Sequence, residues 1–315
     1  MPEVRVGGKE WSADAGSTLL DSLLDAGLPV AYSCRAGSCQ ACKIRLIQGD
    51  LTDLQPEALT ASARAEGWRL ACQCQVHAPV EIALFDPARD ALLAQVTYTQ
   101  WLAENVLEIC LESSQPLRYR AGQHVLLWNG DIARPYSFAS VPNEDVGLSF
   151  HLDCSRPGTF CDAARRLRPG DPIRLGNLSD GALHYPVDAQ EVPLLLIGSG
   201  TGMAPLWSIV REALRQEHLG PIRLVHRATE RTGHYLREPF DDLAERYDHL
   251  TVEYLTAEQW PDWLKGLRLS SRQTLALACG GPSFIEAVSR RLFMAGLPKG
   301  RLLTDTYLSK ALGQK

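Results

Sequence analysis

The sequence has no excess of basic residues: 32 lysines and arginines stand against 37 aspartates and glutamates, and the formal net charge is −5. Proteins that bind nucleic acid use a basic surface to neutralise phosphates, so we expect no nucleic-acid partner. Long hydrophobic runs are also missing, since runs such as 192–197 are far too short to span a bilayer. The N-terminus lacks the apolar stretch and small-residue cleavage site of a secretory signal. We therefore expect a cytoplasmic monomer with no membrane partner.

Internal repeats and low-complexity segments are absent from the sequence as well. Hydrophobic residues make up 45% of the chain and charged residues 22%, which is typical of a globular protein and not of a disordered one. The 315 residues are enough for two or three domains. The pattern of apolar residues changes twice along the chain, near residues 88 and 188, and these changes predict three domains.

Residues 1–88 are predicted to form a small α+β domain. Gly7-Gly8 separates two short strand-like stretches, which is a strong hairpin signal. Ser17 has the character of an N-cap for a leucine-rich helix that Gly27 ends. The strands predicted in this domain are 4–6, 9–13, 43–48 and 80–84, followed by a linker at 85–90.

The second and third domains are predicted from the different order of strands, turns and helices in their sequences. Residues 89–188 contain strands broken by turns, which predicts an antiparallel β-barrel. Its predicted strands are 94–99, 106–112, 124–128, 137–140, 148–153 and 172–175, with one helix at 160–167. Residues 189–315 alternate strands with helices, which predicts a doubly wound parallel α/β domain. Its predicted strands are 193–197, 222–226, 251–255 and 275–279, and its helices are 204–216, 238–247 and 283–295.

Cysteine is abundant and clustered: five of the nine cysteines lie between Cys34 and Cys74. Disulfides are disfavoured in the cytosol, so such a cluster is better explained by metal binding or catalysis. Cys34, Cys39 and Cys42 are separated by four and then two residues, which is the spacing of a plant-type [2Fe–2S] site. Small residues within this loop let backbone amides approach the sulfur atoms. The predicted ligands are Cys34, Cys39, Cys42 and, from a distant segment, Cys72.

Two alternatives remain open for these cysteines. Cys74 competes with Cys72 for the fourth position, because in an extended segment both side chains point the same way. A zinc site or scattered core cysteines would use the same residues, but zinc ribbons need a second closely spaced pair, and no suitable one occurs. A Rieske centre would need a Cys-x-His sequence, which is not found here.

A glycine-rich turn follows the apolar stretch 194–197. Glycines at alternate positions let the backbone pass close to a pyrophosphate at the N-terminus of the next helix. The turn therefore predicts a dinucleotide site. Its glycines are Gly198, Gly200 and Gly202. Together with Thr201 and Pro205 they form a string that resembles the NAD(P) turn of the ferredoxin–NADP reductase superfamily.

The cysteine and glycine motifs, in this order, carry a specific resemblance. Residues 1–85 resemble a plant-type ferredoxin, a β-grasp domain. The succession of ferredoxin, barrel and nucleotide domain resembles the reductase components of multicomponent oxygenases, members of the ferredoxin–NADP reductase superfamily such as the benzoate dioxygenase and soluble methane monooxygenase reductases. It is similar also to the CDP-6-deoxyglucoseen reductases of deoxysugar synthesis. The resemblance covers essentially the whole chain.

The segment Arg134-Pro135-Tyr136-Ser137-Phe138 resembles the Arg-x-Tyr-Ser flavin motif of this superfamily. The resemblance implies that Tyr136 lies along the isoalloxazine ring, that Arg134 pairs with the flavin pyrophosphate and that Ser137 hydrogen-bonds near the reactive N5. Phe138 completes the motif. The flavin implied is FAD, because the related FMN reductases carry their ferredoxin at the other end of the chain.

A second glycine turn, Pro157–Cys161, resembles the segment whose amides bind the flavin pyrophosphate in this superfamily. Gly158 and Thr159 keep its essential geometry. Relatives usually have two glycines and a Ser or Thr in this turn, and this sequence departs from that pattern at Pro157 and Cys161. A thiol is a poorer hydrogen-bond donor than a hydroxyl. The details of the pyrophosphate contact are therefore expected to differ here.

The segment Cys279-Gly280-Gly281-Pro282 resembles the second nicotinamide motif of the superfamily. The resemblance implies that Cys279 borders the nicotinamide and helps place its C4 about 3–3.5 Å from flavin N5. The alternative for Cys279 is a structural role, as a buried cysteine at the end of a strand. Tyr307, near the C-terminus, stands where relatives carry a terminal aromatic that stacks on the flavin and shifts when nicotinamide enters. A plain surface tyrosine is the alternative for that residue.

The choice between NADH and NADPH is weakly specified by the end of the second nucleotide strand. Arg227 and Arg231 are candidates to pair with a 2′-phosphate, whereas Glu230 is a candidate to accept a hydrogen bond from a ribose 2′-hydroxyl. The resemblance to the family favours NADH as the electron donor, and NADPH is the alternative. The catalytic candidates are Ser137, Cys279 and Tyr307.

The resemblance implies an NAD(P)H-dependent reductase that passes electrons through FAD and a [2Fe–2S] cluster to a separate protein. Nicotinamide delivers two electrons as a hydride and the cluster takes one at a time, so a flavin is needed between them. The expected partner is the terminal oxygenase of a multicomponent system or its ferredoxin. Two alternatives remain: a donor to a non-oxygenase enzyme such as a deoxysugar dehydratase, and a non-catalytic redox sensor.

Overall fold

The computed structural model describes residues 1–179 and 181–307. The backbone forms three successive sheet-based units, as the pattern predicts. The last eight residues of the third predicted domain lie outside the described residues. The exact boundaries at residues 88 and 188 remain predictions. No helix in the described part of the chain is long and apolar enough to cross a membrane.

The first unit is a five-stranded mixed sheet crossed by a short helix. Its strands are β1 Glu3–Val6, β2 Lys9–Ser12, β3 Lys43–Gly49, β4 Thr52–Asp53, β5 Trp68–Leu70, β6 Cys74–Gln75 and β7 Val80–Leu84, and its helices are α1 Leu19–Asp25 and α2 Ala61–Ala65. The order in the sheet is β2-β1-β7-β3-β5, and β4 pairs separately with β6. Leu19, Leu20 and Leu23 pack the helix onto the sheet and are fully buried. This is the β-grasp arrangement that the resemblance implies.

The second unit is a curled antiparallel sheet. A short helix, α3 Pro87–Asp90, leads into it, and its elements are β8 Leu92–Ala103, β9 Val106–Ser113, β10 His124–Asn129, β11 Ile132–Ser137, β12 Leu148–Asp153, α4 Thr159–Ala164 and β13 Pro172–Ser179. The strand order is β11-β10-β13-β8-β9-β12. A bridge between Phe138 and Phe150 joins the two ends of this order, which closes the sheet into a barrel.

The third unit is a five-stranded parallel sheet with helices on both faces. Its elements are β14 Leu194–Ser199, α5 Met203–Arg215, β15 Ile222–Arg227, α6 Arg237–Arg246, β16 Leu250–Leu255, α7 Trp260–Gly266, β17 Leu275–Gly280, α8 Pro282–Met294 and β18 Leu302–Thr306. The order is β16-β15-β14-β17-β18. Along β14, Leu194 and Leu196 pack under α5 and α6, whereas Leu195 and Ile197 pack under α7 and α8. This alternation gives the doubly wound fold its two apolar layers.

Several local predictions need correction. The N-cap of α1 is Thr18, whose hydroxyl accepts a hydrogen bond from Asp21 N, and not Ser17. The predicted linker at 85–90 contains the helical turn α3, capped by Asp86. The strand predicted at 137–140 is instead β11, which ends at Ser137. Pro135 interrupts the apolar alternation by which a strand is predicted. Its missing N–H is tolerated because β11 is the terminal strand in the sheet order.

Candidate electron-transfer site

The first predicted site lies in the loop that joins α1 to β3. Gly37 has φ +80°, and Arg35 and Gln40 also have positive φ, so the backbone turns sharply inward. As a result the amides of Ala36 and Cys39 donate hydrogen bonds to Cys34 Sγ, each at 3.3 Å. Amides aimed at sulfur are the surroundings that stabilise thiolate ligands. The loop therefore has the backbone geometry that a cluster site requires.

The four predicted ligands form two pairs of thiols. Cys34 and Cys39 hydrogen-bond each other, and so do Cys42 and Cys72. The contact lowers the pKa of Cys34 and of Cys72 and raises the pKa of the partner thiol in each pair. No three metal-ligating side chains within residues 1–179 and 181–307 are grouped to hold a single ion. Two thiolates for each of two irons is the donor set of a [2Fe–2S] cluster, so the residues fit that group.

Cys72 and Cys74 differ sharply in their surroundings. Cys72 is half-buried, its amide donates to Cys42 Sγ at 3.5 Å, and Gln73 Nε2 donates to its sulfur at 3.2 Å. Cys74 is fully buried in the apolar core of the first unit, and burial raises the pKa of its thiol to about 12. A short helical turn at Ala71–Gln73 replaces the extended backbone in which both side chains would point the same way. The geometry therefore favours Cys72 as the fourth ligand.

The flavin motif lies along β11. Arg134 and Tyr136 are half-buried, and the Tyr136 ring lies 5.2 Å from that of Phe160. Burial raises the pKa of the Tyr136 hydroxyl. Phe138 differs from its neighbours, because its fully buried ring packs against Tyr119 in the barrel core. The motif thus offers Arg134, Tyr136 and Ser137 to a ligand, whereas Phe138 can offer only its backbone.

The second flavin segment begins α4. Gly158 is the N-cap residue, followed by Thr159, and Cys161 follows in the first turn. The Cys161 thiol donates to the carbonyl of Asp153 at 3.2 Å and contacts Cys154, and the contact with Cys154 lowers the pKa of Cys161 to about 7. Its sulfur lies 4.0 Å from the Tyr136 hydroxyl. The two predicted flavin segments are therefore neighbours in space.

The nucleotide turn joins β14 to α5 at the carboxyl end of the parallel sheet. Gly200 has φ +56°, a backbone conformation that glycine adopts readily. A Cβ at Gly202 would lie 2.3 Å from the carbonyl oxygen of Cys279, and a Cβ at Gly198 would overlap Met203. These two glycines are therefore required by packing as well as by any ligand. Thr201 and Pro205 are buried beside them at the start of α5.

The second nicotinamide motif follows β17, which pairs directly with β14. Cys279 lies opposite Gly198 in the register and is fully buried. Gly280 ends the strand, Gly281 is the N-cap of α8 and Pro282 is its first residue. Two glycine turns and two helix N-termini thus meet at one edge of the sheet, which is where open α/β sheets bind nucleotides.

The three catalytic candidates meet between the barrel and the nucleotide sheet. The hydroxyl of Tyr307 lies 3.3 Å from Ser137 Oγ and donates to the carbonyl of Thr201 at 3.4 Å. It also hydrogen-bonds the thiol of Cys279. Burial raises the pKa of both the Tyr307 hydroxyl and the Cys279 thiol, so both groups are neutral near pH 7. Tyr307 is therefore a partly buried residue that packs against the core of the nucleotide unit at the junction.

The two arginines proposed for nucleotide selection differ in position. Arg227, at the end of β15, donates to Ser199 Oγ at 3.3 Å and so lies beside the glycine turn. Arg231 and Glu230 are exposed, four and three residues further along the chain. The structure brings only Arg227 against the predicted nucleotide turn.

One group at the junction was missed by sequence patterning. His151 Nδ1 lies 3.1 Å from the Tyr235 hydroxyl, and His151 Nε2 lies 3.7 Å from a carboxylate oxygen of Glu108. Glu108 and His151 belong to the barrel, and Tyr235 belongs to the nucleotide unit. From the sequence, His151 is predicted only as a structural residue of a barrel strand or as one that offers its backbone to the flavin.

These contacts define a class of protein: a nicotinamide-dependent flavin reductase that carries its own ferredoxin unit. A family model of the 2Fe-2S iron-sulfur cluster binding domain matches residues 4–77. A model of the oxidoreductase NAD-binding domain matches residues 196–290. The two matches coincide with the cysteine loop and with the glycine turns.

Curated relatives match along nearly the whole chain. The reductase subunit of an aromatic O-demethylase from Amycolatopsis is 31% identical over 90% of this chain and 92% of its own. The reductase component of the naphthalene 1,2-dioxygenase/salicylate 5-hydroxylase systems of a Ralstonia species is 29% identical over 94% and 95%. The CDP-6-deoxy-L-threo-D-glycero-4-hexulose-3-dehydrase reductase of Yersinia pestis is 23% identical over 95% of each chain.

Solved structures have the same architecture. A cytochrome P450 reductase from Amycolatopsis superposes with a TM-score of 0.64 at 26% identity, over 97% of this chain and 98% of its own. A ferredoxin–NADP+ reductase from Neisseria gonorrhoeae with bound FAD and NADP superposes with a TM-score of 0.60 at 17% identity, over 69% of this chain and 98% of its own. The second likeness concerns the fold alone.

The chain therefore belongs to the family of ferredoxin–NAD(P)+ reductase components. It is an NAD(P)H-dependent oxidoreductase whose redox groups are a [2Fe–2S] cluster, a flavin and a nicotinamide, and its electrons pass to another protein.

Proposed function

We propose that this protein is the reductase component of a multicomponent oxygenase, with NADH as its donor, FAD as its flavin and the terminal oxygenase or its ferredoxin as its acceptor. The observation that carries the proposal is the match, over 94% of the chain, to the reductase component of a dioxygenase system. The contact of Ser137 with Tyr307, beside Cys279 and Thr201, supports hydride transfer at the junction of barrel and nucleotide sheet. When bound, FAD supplies the conversion of a two-electron hydride donor into a one-electron donor for the cluster. The residues of the chain bind and orient these groups.

Each candidate residue has a proposed task. Ser137 holds its hydroxyl at the reacting edge of the flavin, and Arg134 pairs with the pyrophosphate. Tyr307 fills the space between the two units in the absence of nucleotide, tied to Ser137 and Cys279. Nicotinamide entry requires that Tyr307 moves aside, which exchanges these hydrogen bonds for contacts with the nucleotide. Cys279 then borders the nicotinamide as a neutral, apolar wall.

The cluster ligands are proposed to be Cys34, Cys39, Cys42 and Cys72. Glycine-rich turns at Gly158 and at Gly198–Gly202 are proposed to receive the two pyrophosphates, with the Gly280–Pro282 turn closing the nicotinamide side. NADH is the proposed donor, with Glu230 accepting from the ribose 2′-hydroxyl. Arg227, held by Ser199, is the residue through which NADPH would be accepted.

The acceptor is tested by cross-linking the reduced holoprotein in lysate of its native cell and identifying the captured protein. Capture of a Rieske or di-iron oxygenase subunit, or of its ferredoxin, supports the proposal. Capture of a sugar-nucleotide dehydratase supports the alternative acceptor, which the likeness to the hexulose-3-dehydrase reductase favours. A non-catalytic sensor would reduce ferricyanide or cytochrome c only slowly with NADH. Rapid reduction of either electron acceptor would therefore eliminate that alternative.

Donor choice is tested separately by comparing kcat/KM for NADH and NADPH with ferricyanide as acceptor. A higher value for NADH is expected. A higher value for NADPH would overturn the assignment of the donor, and Arg227→Ala would then be expected to reverse it, because the guanidinium would be the partner of the 2′-phosphate.

A further inference from the structure

The cluster-binding loop lies against the barrel. Cys39 and Ala41 from the loop form one buried apolar group with Leu126, Trp128 and Ala133 from the hairpin β10–β11. All five are at most 8% exposed. Apolar contacts of this kind exclude water and hold two surfaces in one relative position. The cluster-binding loop of the first unit therefore packs on the barrel through Cys39 and Ala41.

A stack of aromatic rings fixes the position of this contact. The ring of Phe85, directly after β7, is stacked on that of Trp128 with centroids 5.3 Å apart and planes at 18°. On its other side Phe85 lies 5.9 Å from Trp68, and the ammonium of Lys43 lies 4.5 Å over the Trp68 ring. Stacked aromatic rings bury a large apolar area and have a preferred relative geometry. The stack runs from the residue after Cys42 to the barrel.

The barrel makes room for Trp128 at a cost. A Cβ at Gly176, on the neighbouring strand β13, would lie 3.1 Å from Trp128 Nε1 and 3.2 Å from Leu126 Cβ. Within the described residues Trp128 Nε1 is buried without a hydrogen-bond partner. Burying such a group without a partner is unfavourable. An aliphatic side chain would fill the barrel wall without that cost, so packing of the barrel alone does not explain the tryptophan.

The hairpin that receives the loop also carries the flavin motif. Trp128 pairs with Ala133 across β10 and β11, and Tyr136 follows three residues further along β11, opposite Val125. A strand rises about 3.3 Å per residue, so Ala133 and Tyr136 are about 10 Å apart along one straight element. A short segment of β11 therefore links the barrel residues that contact Cys39 to Tyr136 of the flavin motif.

We propose that Trp128 is a positioning residue for electron transfer within the chain: stacked on Phe85, it seats the Cys39 side of the cluster loop on the flavin hairpin. This inference rests on the proposed function. The Cys39 side is then the point at which electrons enter the cluster. Each transfer moves one electron from the flavin to the oxidised cluster and forms or breaks no heavy-atom bond. Two transfers account for one hydride: the acceptor protein reoxidises the cluster between them, and the proton of the hydride leaves the flavin for solvent.

The test compares three variants of the protein loaded with FAD and cluster. Trp128→Leu removes the stack, and Trp128→Phe keeps an aromatic ring. Trp101→Leu is the matched control, because Trp101 lies on the same barrel but is 45% exposed. Each is mixed rapidly with NADH, and flavin reduction is followed by absorbance while cluster reduction is followed by electron paramagnetic resonance of frozen samples.

In Trp128→Leu, flavin reduction is expected to keep the wild-type rate while cluster reduction slows by about tenfold or more, since misplacing reacting centres by about 1 Å can cost 10²-fold. Trp128→Phe restores most of the rate, and Trp101→Leu changes neither phase. In steady state, cytochrome c reduction falls while ferricyanide reduction is kept. Independently of activity, hydrogen exchange at the amides of 39–41 is expected to rise in Trp128→Leu alone.

Wild-type cluster reduction and unchanged exchange in Trp128→Leu would overturn the inference while leaving the proposed function intact. Absence of flavin reduction in the wild-type protein would instead overturn the proposed function. If Trp128→Leu fails to retain its cofactors, Phe85→Leu removes the same stack from the first unit. Equal loss of both phases in Phe85→Leu would also contradict the positioning role.

Discussion

Two cysteines that stand two positions apart, Cys72 and Cys74, have opposite surroundings. Cys72 contacts Cys42 and accepts from Gln73, whereas Cys74 is enclosed by the core of the first unit. Sequence patterning could rank them but could not see the helical turn that separates their directions. At the scale of a residue, the tertiary surroundings therefore decide which thiol can reach a cluster.

Replacing each of these cysteines by alanine gives a matched pair. Cys72→Ala is expected to abolish the visible absorbance and paramagnetic signal of the [2Fe–2S] cluster, because one iron loses a thiolate. Cys74→Ala is expected to keep both signals and to lose about 1 kcal/mol of stability from the core. Iron content and spectra of the two proteins check the prediction. Cluster loss in Cys74→Ala with a normal Cys72→Ala spectrum would reverse the assignment.

His226 is a buried titratable group on β15. It is fully shielded from solvent, and burial together with the nearby His234 lowers its pKa to about 3. In the unfolded chain its pKa returns to about 6.5, so the unfolded state binds a proton that the folded state excludes. The lowered pKa therefore favours folding above about pH 6.5, and this contribution is lost as the pH falls toward 3.

His226→Phe is expected to weaken this acid sensitivity. Each pH unit below about 6.5 costs the wild-type protein about 1.4 kcal/mol through this residue, and the variant is spared that loss. Melting temperatures at pH 7.5 and 5.5 check the prediction, with the difference between the two pH values smaller in the variant. Equal differences in both proteins would show that His226 is protonated in the folded state.

At the scale of elements, the turn between β14 and α5 couples two strands of the nucleotide sheet. Gly202 lies so close to β17 that any side chain would meet the carbonyl of Cys279. The same turn accepts the hydroxyl of Tyr307 through the carbonyl of Thr201. The glycine string was predicted from the sequence as a ligand-binding turn, and the packing shows that it also sets the position of the catalytic candidates.

Gly202→Ala is expected to raise the KM for NADH and lower kcat/KM by up to about 100-fold, because its Cβ would stand 2.3 Å from the Cys279 carbonyl oxygen and displace β17. The cluster spectrum should be unchanged, since the four predicted cluster ligands lie in the first unit. Gly266→Ala, at the end of α7 with open space around it, is the control and should keep wild-type kinetics. Normal kinetics in Gly202→Ala would mean that the turn yields without cost.

The flavin strand illustrates a different limit of sequence patterning. Arg134 and Pro135 interrupt the apolar alternation of β11, so the strand was predicted five residues too late in the chain. Its position at the end of the sheet order removes the need for the missing N–H. The functional motif was found from the residue types, but the element that carries it was not.

At the scale of the whole molecule, the barrel and the nucleotide unit are joined by one buried hydrogen bond and by a partly buried group of ion pairs. Ser208 Oγ donates to the carbonyl of Ser140 at 2.8 Å. Arg211, on α5, donates to Asp145 and Glu144 of the barrel, with each bond 2.7 Å long. These contacts lie on the same helix that begins at the nucleotide turn. They therefore hold the turn in register with the barrel.

Arg211→Ala is expected to reduce stability by about 1–3 kcal/mol, because it removes the ion pairs with Glu144 and Asp145 that join the two units. Arg5→Ala is the matched control, since Arg5 also pairs with two carboxylates, Glu3 and Glu10, but all three side chains are about half exposed. Thermal unfolding followed by flavin release checks the prediction. The control is expected to change the melting temperature little, as exposed pairs contribute about 0–1 kcal/mol. Equal shifts in both variants would argue against a role in joining the units.

The sequence by itself determined the three fold classes and their order, and also the residue types of the cluster, flavin and nicotinamide motifs. These features are local: ligand spacing, glycine turns and apolar periodicity are set by neighbours in the chain. Only the tertiary structure decided that Cys72 faces the cluster loop, that Phe138 is a core residue and that Tyr307 contacts Ser137. It also decided that Trp128 seats the ferredoxin loop. Such contacts join residues far apart in the chain, and no local pattern encodes the packing of one unit on another.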